Sequence, residues 1–409
     1  YRFPHWAKTH WNGLESELTS QKISRLFASV PEAAKLEFFR RQSARRLEKE
    51  YLAYDTTSIS SYSELIDHVK YGYNKDLERL PQINLALVFG EKSMLPVYFR
   101  KLPGNIPDVK TVKKLLDDMD FLQIDKVKLV MDRGFYSADN INALYRNHYK
   151  FVVSTRCSTA LAAKHIKAAM DSICDYGNYS QEQQVYCVST TDQWTYEETV
   201  RGEVRTDQRR IYVHVYYNEE RAAAEKATFN QTLAALETAL RDGTASEEQL
   251  QAGMKYFTVS ETPKRGRKIE PKIEAIREHM KRFGFFPLLS NDIKDGRTAL
   301  AYYRNKDLIE KAFGNLKERL DMRRTAVFSS ENLEGKLFVQ FVALIFLSCI
   351  HKVMKEHEFY RNYSMQTLLD ELDLIERFDY PARKWQCGEV TKKQADLYAA
   401  FGVTPPNML

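Results

Sequence analysis

The pattern of apolar and polar positions changes period several times along the chain, and each change marks an element. From residue 50 it is that of strands. "EYLAYDTTSIS" reads as a short strand; "LPQINLALVF" and "SMLPVYFRKL" are two more, joined as a hairpin through Gly90, Glu91 and Lys92. Helical periodicity follows in "DVKTVKKLLDDMDFL". "DKVKLVMDRG" is a buried strand stopped by Gly134, and "SADNINALYRNH" a helix with Ser137 as its N-cap. "YKFVVSTR" is again a strand and "TALAAKHIKAAMDSI" a helix. The order β-β-β-α-β-α-β-α predicts one mixed sheet, antiparallel strands first and crossover units after.

Between residues 176 and 300 that rhythm breaks. "QVYCVSTTDQWTYEETV" and "RRIYVHVYYN" alternate as half-buried antiparallel strands. "EERAAAEKATFNQTLAALETALRDG" is a long helix with an alanine-rich seam, "PKRGRK" a basic linker, and "PKIEAIREHMKRFG" helical. "FFPLLSND" returns to a core strand, and one helix is expected from Tyr302 to Leu320. The expected organisation is an α/β core in two parts, 51–175 and 285–355, interrupted by a mixed β/α insertion, 176–284. Helical segments flank it at 1–50 and 356–409. The basic, amphipathic "AAKLEFFRRQSARRLEKE" of the first segment is read equally as a surface helix or as one lying against DNA.

Length and composition fit this picture: 409 residues exceed what one core usually absorbs, and 44% hydrophobic with 28% charged residues is a globular balance. The formal net charge of +6 mildly favours a polyanionic partner. Five cysteines, an odd count without CxxC spacing, suggest neither a zinc knuckle nor a disulfide framework, and fit a reducing compartment. The longest apolar run, "LFVQFVALIFLSCI", is too short for a bilayer and reads as a buried helix, so no membrane partner is expected. The chain opens on Tyr1, not Met, which leaves room for a preceding domain in a longer protein.

Three acids carry the candidate chemistry. Asp55 is expected to close the strand "YLAYD" and Asp132 the strand "KLVMD", and strand ends are where α/β sheets display reactive groups. At about 100° per residue, Tyr303, Lys306, Glu310 and Lys317 fall within roughly 60° of arc. They border the apolar row Ile309, Phe313, Leu316 and Leu320 instead of opposing it. A Glu310–lysine ion pair is the plain explanation. Convergence with the two aspartates is the other. Gathered carboxylates repel unless a hard divalent cation offsets their charge, and Mg²⁺ takes oxygen ligands.

These residues resemble the DDE transposases of the IS4 group, whose third motif reads Y-x2-R-x3-E-x6-K. Tyr303, Lys306, Glu310 and Lys317 stand at that spacing, with Lys306 where the family has arginine. Asp55 in "YLAYDTTSIS" and Asp132 in "LVMDRGFYS" match the two aspartates, and "YGYNKDLERLPQINLALVF" and "LPGNIPDVKT" are similar to neighbouring stretches. The resemblance implies an RNase H-like core. It also implies that Asp55, Asp132 and Glu310 are catalytic and bind two Mg²⁺ ions, with Mn²⁺ as a substitute. Tyr303, Lys306 and Lys317 would contact DNA phosphates. Further expected DNA contacts are Arg319, Arg323 and Arg324 just past the motif, and Lys264, Arg265, Arg267 and Lys268 of "PKRGRK", read as a minor-groove arm or a solvated linker. Arg133 is read as a phosphate contact or an acid's partner, and Trp194 as a base-stacking or a core residue. The implied partners are double-stranded DNA with terminal inverted repeats and target DNA, met by a homodimer in a synaptic complex in the bacterial cytoplasm. A metal-dependent nuclease that never joins strands, a non-catalytic DNA-binding descendant and an inert scaffold are the competing readings.

Overall fold

Runs of β-branched and aromatic residues make the strands, and capped amphipathic stretches the helices. The computed structural model describes all residues except 1–2, 15–16, 45–49, 123, 125–126, 201–202, 263–265, 381–383 and 407–409. In chain order, α1 Phe3–Trp6, α2 Ser20–Ser29 and α3 Glu32–Ala44 precede β1 Leu52–Ser61, β2 Gln82–Gly90 and β3 Pro96–Pro103. Then come α4 Thr111–Phe121, β4 Lys128–Met131, α5 Ala138–Arg146, β5 Lys150–Ser154 and α6 Ala160–Ala169. The segment read as an insertion holds β6 Tyr179–Ser180, β7 Val185–Val200, β8 Glu203–Tyr217, α7 Glu219–Asp242, α8 Glu247–Tyr256, β9 Phe257–Thr262, β10 Gly266–Pro271 and α9 Ile273–Met280. The chain continues with β11 Phe285–Ser290, α10 Gly296–Arg304, α11 Asp307–Gly314, β12 Arg324–Thr325 and α12 Ser330–Glu356. It closes with α13 Met365–Asp373, β13 Arg377–Phe378, β14 Gln386–Cys387 and α14 Lys392–Ala400. The fold is mixed α/β, consistent with an RNase H-like core carrying insertions.

Two compact units divide the chain: residues 1–128 with 305–409, and residues 129–304. In the first, β3, β2 and β1 pair antiparallel in that order, and β12 runs parallel to β1 through Ser60↔Arg324. Every residue of β2 is buried, and all of β1 except Asp55. The β2–β3 turn is held by Glu50, whose carboxylate accepts from the Lys92 and Ser93 amides at 2.9 and 2.8 Å. Gly90 is required there: a Cβ would fall 2.1 Å from Ser93 Oγ.

α12 is longer than the apolar run that predicts it, and by length and composition long enough to cross a membrane. Only one face is buried, through Leu333, Leu337, Phe341 and Leu344, while Phe346 and Cys349 are exposed. The buried helix expected from sequence is thus buried along one face. At Gly335 the backbones of α12 and α2 meet so closely that a Cβ would stand 2.0 Å from the Phe27 carbonyl oxygen.

In the second unit the strand order is β4-β5-β11-β8-β7-β6. β7 and β8, read as part of an insertion, share this sheet: β8 pairs antiparallel with β11 from Phe285↔Tyr217 to Ser290↔Tyr212. Ser137 caps α5 as expected, accepting from the Asn140 amide at 3.1 Å. The alanine seam of α7 is not buried. Ala223, Ala224, Ala234 and Ala235 are exposed, and only Leu236 and Leu240, against Phe257, go inside. Methyl groups bury too little area to hold a face down when larger side chains lie nearby. "PKRGRK" is not a plain linker, because its flanks pair as the hairpin β9–β10.

Candidate functional site

The helix expected from Tyr302 to Leu320 is interrupted. α10 ends at Arg304, α11 starts at Asp307, and Asn315–Arg319 widens into a π turn. At the break, Asn305 Nδ2 donates to Glu91 Oε1 at 2.5 Å. Asparagine gives up helix easily, since its amide competes for other partners. The one helix from which the arc is reckoned is therefore two, with Tyr303 on α10 and Glu310 on α11. The apolar row does hold: Ile309, Phe313 and Leu316 are buried, and α11 packs across β1 and β2.

Asp55 does not end its strand. It is the fourth of ten residues in β1, opposite Leu87, because Thr56 to Ser61 continue as strand. Small hydroxyl and β-branched side chains fit a pleated buried surface when their hydroxyls find partners. The Asp55 carboxylate is half-buried and accepts from the Thr56 amide at 2.7 Å. Lys75 Nζ stands 3.5 Å from Asp55 Oδ1 and 3.2 Å from Asp108 Oδ2, and donates to the Thr56 carbonyl at 2.7 Å.

Glu310 is 54% exposed, and its Oε1 accepts from Lys306 Nζ at 2.6 Å, so the plain ion-pair reading describes it in this structure. Lys317, only 10% exposed on the π turn, donates to Asp76 at 2.6 Å. Lys75 and Asp76 were not singled out from the sequence. Neighbours in one loop, they reach Asp55 and Lys317 respectively; the signal available was the dense charge of "YGYNKDLERL".

Past the motif, Arg319 donates to the Asn315 side chain at 3.1 Å and Arg323 lies 3.7 Å from Glu318. Arg324 forks onto Glu78 at 3.1 and 2.7 Å and donates to Tyr62 Oη at 2.8 Å. That guanidinium, with Ser60, holds the Glu78 carboxyl below its ordinary range.

In the second unit Asp132 stands at a strand end, as expected, directly after β4 and before a single 3₁₀ turn, Arg133–Phe135. The Tyr303 hydroxyl donates to Asp132 Oδ1, so the first residue of the third motif meets the second acid. Arg133 is exposed. Trp194 is half-buried on β7, and its Nε1 donates to Asn142 Oδ1 at 2.8 Å. Arg267 donates to the Leu240 carbonyl at 3.1 Å and Lys268 pairs with Glu270 at 2.5 Å. Lys264 and Arg265 lie outside the described residues.

Among the described residues, no three His, Cys, Asp or Glu side chains are gathered to hold a metal ion. The donor chemistry of the three acids nevertheless suits a hard cation: carboxylates only, two of them beside lysine ammonium groups that a metal's charge would displace.

Residues 46–346 match the family model described as "Transposase DDE domain". A search of curated proteins finds no match. Among solved structures, the chain is similar to that described as "Cryo-EM structure of piggyBac transposase synaptic complex with hairpin DNA", with TM-score 0.40 and 10% identity over 81% of this chain. The match spans 55% of that chain, about half its length.

Proposed function

We propose, from the premise that this chain belongs to the DDE transposase family, that it cuts DNA at transposon ends and joins those ends to target DNA. One observation carries the reading. The match over 46–346 contains Asp55, Asp132, Tyr303, Lys306, Glu310 and Lys317 together. Its partners would be duplex DNA ending in inverted repeats, target DNA and a second copy of the chain, in the bacterial cytoplasm.

Asp55, Asp132 and Glu310 would hold Mg²⁺, or Mn²⁺ in its place; bound, such ions make water more acidic and stabilise charge on phosphate oxygens. The chain's own residues have definable tasks. In the first step water oxygen bonds to phosphorus as the bond from phosphorus to the 3′ oxygen breaks, freeing a 3′-OH. In the second that hydroxyl attacks a target phosphodiester, exchanging one ester bond for another. Both steps build negative charge on non-bridging oxygens, which positioned cations stabilise. Lys306 and Lys317 now face carboxylates and would transfer to phosphate oxygens when DNA arrives. Lysine in place of arginine at position 306 keeps the charge but loses the bidentate fork.

Glu310→Gln tests the reading. It should keep DNA binding and lose metal-dependent end cleavage by about 10²–10³-fold or more, the scale for losing one charge-stabilising group. Normal cleavage by this variant would end the assignment. Precut ends offered to the wild type separate a transposase, which joins them, from a nuclease, which does not.

A further inference from the structure

We propose that the loop Tyr71–Leu80 is a stacking site for unpaired nucleobases at the cut end of the DNA; the placement at the cut end rests on the function proposed above. Tyr71, Tyr73 and Leu77 are 75%, 80% and 82% exposed. Three large, nearly naked side chains in ten residues mark a recognition surface more than a packing one. With Arg79 they line an open groove of about 400 Å³.

The loop beneath them is fixed. Asn74 is 7% exposed; its Nδ2 donates to Ser60 Oγ at 3.2 Å, and its Oδ1 accepts from the Asp76 and Glu78 amides at 2.8 and 3.3 Å. The Lys75 amide donates to Ser58 Oγ at 3.1 Å, and Gln82 Nε2 to the Tyr73 carbonyl at 3.0 Å. Ser58 and Ser60 belong to β1, so the loop is pinned to the strand that carries Asp55. Leu77 has φ +59°, the left-handed region a leucine rarely takes, and the rest of the loop over-determines it. The rings thus stand in water on an anchored backbone, and little backbone order remains to be lost when a ligand binds.

Charge selects the ligand. The loop's acids are already answered, Asp76 by Lys317 and Glu78 by Arg324. Among the described residues Arg79 has no acidic partner, so with Asp76 and Glu78 answered it is the loop's uncompensated charge. Aromatic faces beside an uncompensated guanidinium suit a single strand, because every base offers a π face and every nucleotide a phosphate. Paired bases keep their faces within the duplex and cannot use the rings. Through Lys75 the same loop reaches Asp55, one of the acids to which the proposed function assigns the cut.

The test is binding, without metal, to a duplex carrying an oligo-dT overhang and to the matched blunt duplex, read by fluorescence anisotropy. Wild type should prefer the overhang about tenfold, the scale of stacking one base. Tyr71→Ala with Tyr73→Ala should abolish that preference and leave blunt binding unchanged, while the paired Phe variants keep it. 2-Aminopurine in the overhang should be quenched by wild type and the Phe pair only. An equal loss on both DNAs, no loss, or loss in the Phe pair overturns the proposal; so does capture of an apolar peptide in preference to the overhang. The Phe pair guards against misfolding, since it preserves the rings. Cleavage plays no part in the readout: a chain that prefers overhangs but never cuts would sink the transposase reading alone, and one that cuts without the preference would sink this inference alone.

Discussion

In the first unit the polar side chains around the candidate acids are ions in pairs: Lys75 with Asp55 and Asp108, Lys306 with Glu310, Lys317 with Asp76, Arg324 with Glu78. At the centre of the second unit they are neutral groups in hydrogen bonds. His214 Nδ1 meets Ser189 Oγ at 2.9 Å and its Nε2 the Ile293 carbonyl at 3.0 Å; Tyr216 Oη donates to the Gly296 carbonyl at 2.7 Å. The difference teaches what each region can exchange. A pair with an exposed member, such as Lys306 with Glu310, gives up its partner cheaply to a metal or a phosphate because water screens what is lost, whereas Lys317 with Asp76, 10% and 22% exposed, gives it up at a higher cost. The buried His214 and Tyr216, held by neutral partners, have no such substitute, so they fix geometry.

Four measurements would break or sharpen that contrast. The largest effect should be the acid response of the second unit. Burial lowers the His214 pKa from 6.5 to about 4. Between those values the unfolded chain takes up a proton that the folded chain refuses, so stability falls as pH falls through the window and levels below it. The full drop is about 3 kcal/mol, read as a shift in the urea midpoint between pH 7 and pH 4; a His214→Gln chain that keeps the same slope would contradict it. Next, Gly296→Ala should cost about 2 kcal/mol by overpacking, since its Cβ would meet Cys187 Sγ at 2.4 Å and Ser189 Oγ at 2.5 Å. Thermal unfolding checks this, and an unchanged midpoint would mean that the network yields. Tyr303→Phe should cost about 1 kcal/mol by taking the donor from Asp132, measurable by chemical denaturation. Lys306→Met should be smallest, under about 0.5 kcal/mol, because Glu310 is 54% exposed. Should Lys306→Met prove costlier than Tyr303→Phe, the contrast between the two regions fails.

How much of this could be read in the letters depended on how local the cause was. Ser137 as a cap and Gly90 in a hairpin turn are decided within a few residues, and both stand as expected. The break at Asn305 is invisible to periodicity, because Ile309, Phe313 and Leu316 keep helical spacing while the bond that Asn305 makes there reaches Glu91, 214 positions away. Asp55 looked like a strand end since polar residues follow it; buried partners such as Asn74 for Ser60 let the strand run on. The three acids were recognisable as types at motif spacing. Lys75 was not, and Tyr303 was legible only as a motif residue and DNA contact, since tertiary contacts alone bring the two to Asp55 and Asp132.

The glycine notch on α12 has a consequence for the front of the chain. α2 has no buried residue of its own, yet it packs along α12, and Gly335 lets the two backbones approach at Phe27. A single methyl group there would prise the segment loose while leaving the β1–β3 meander intact. Trypsin would then cut first at Lys22 and Arg25, trimming the amino-terminal end as a detachable strap.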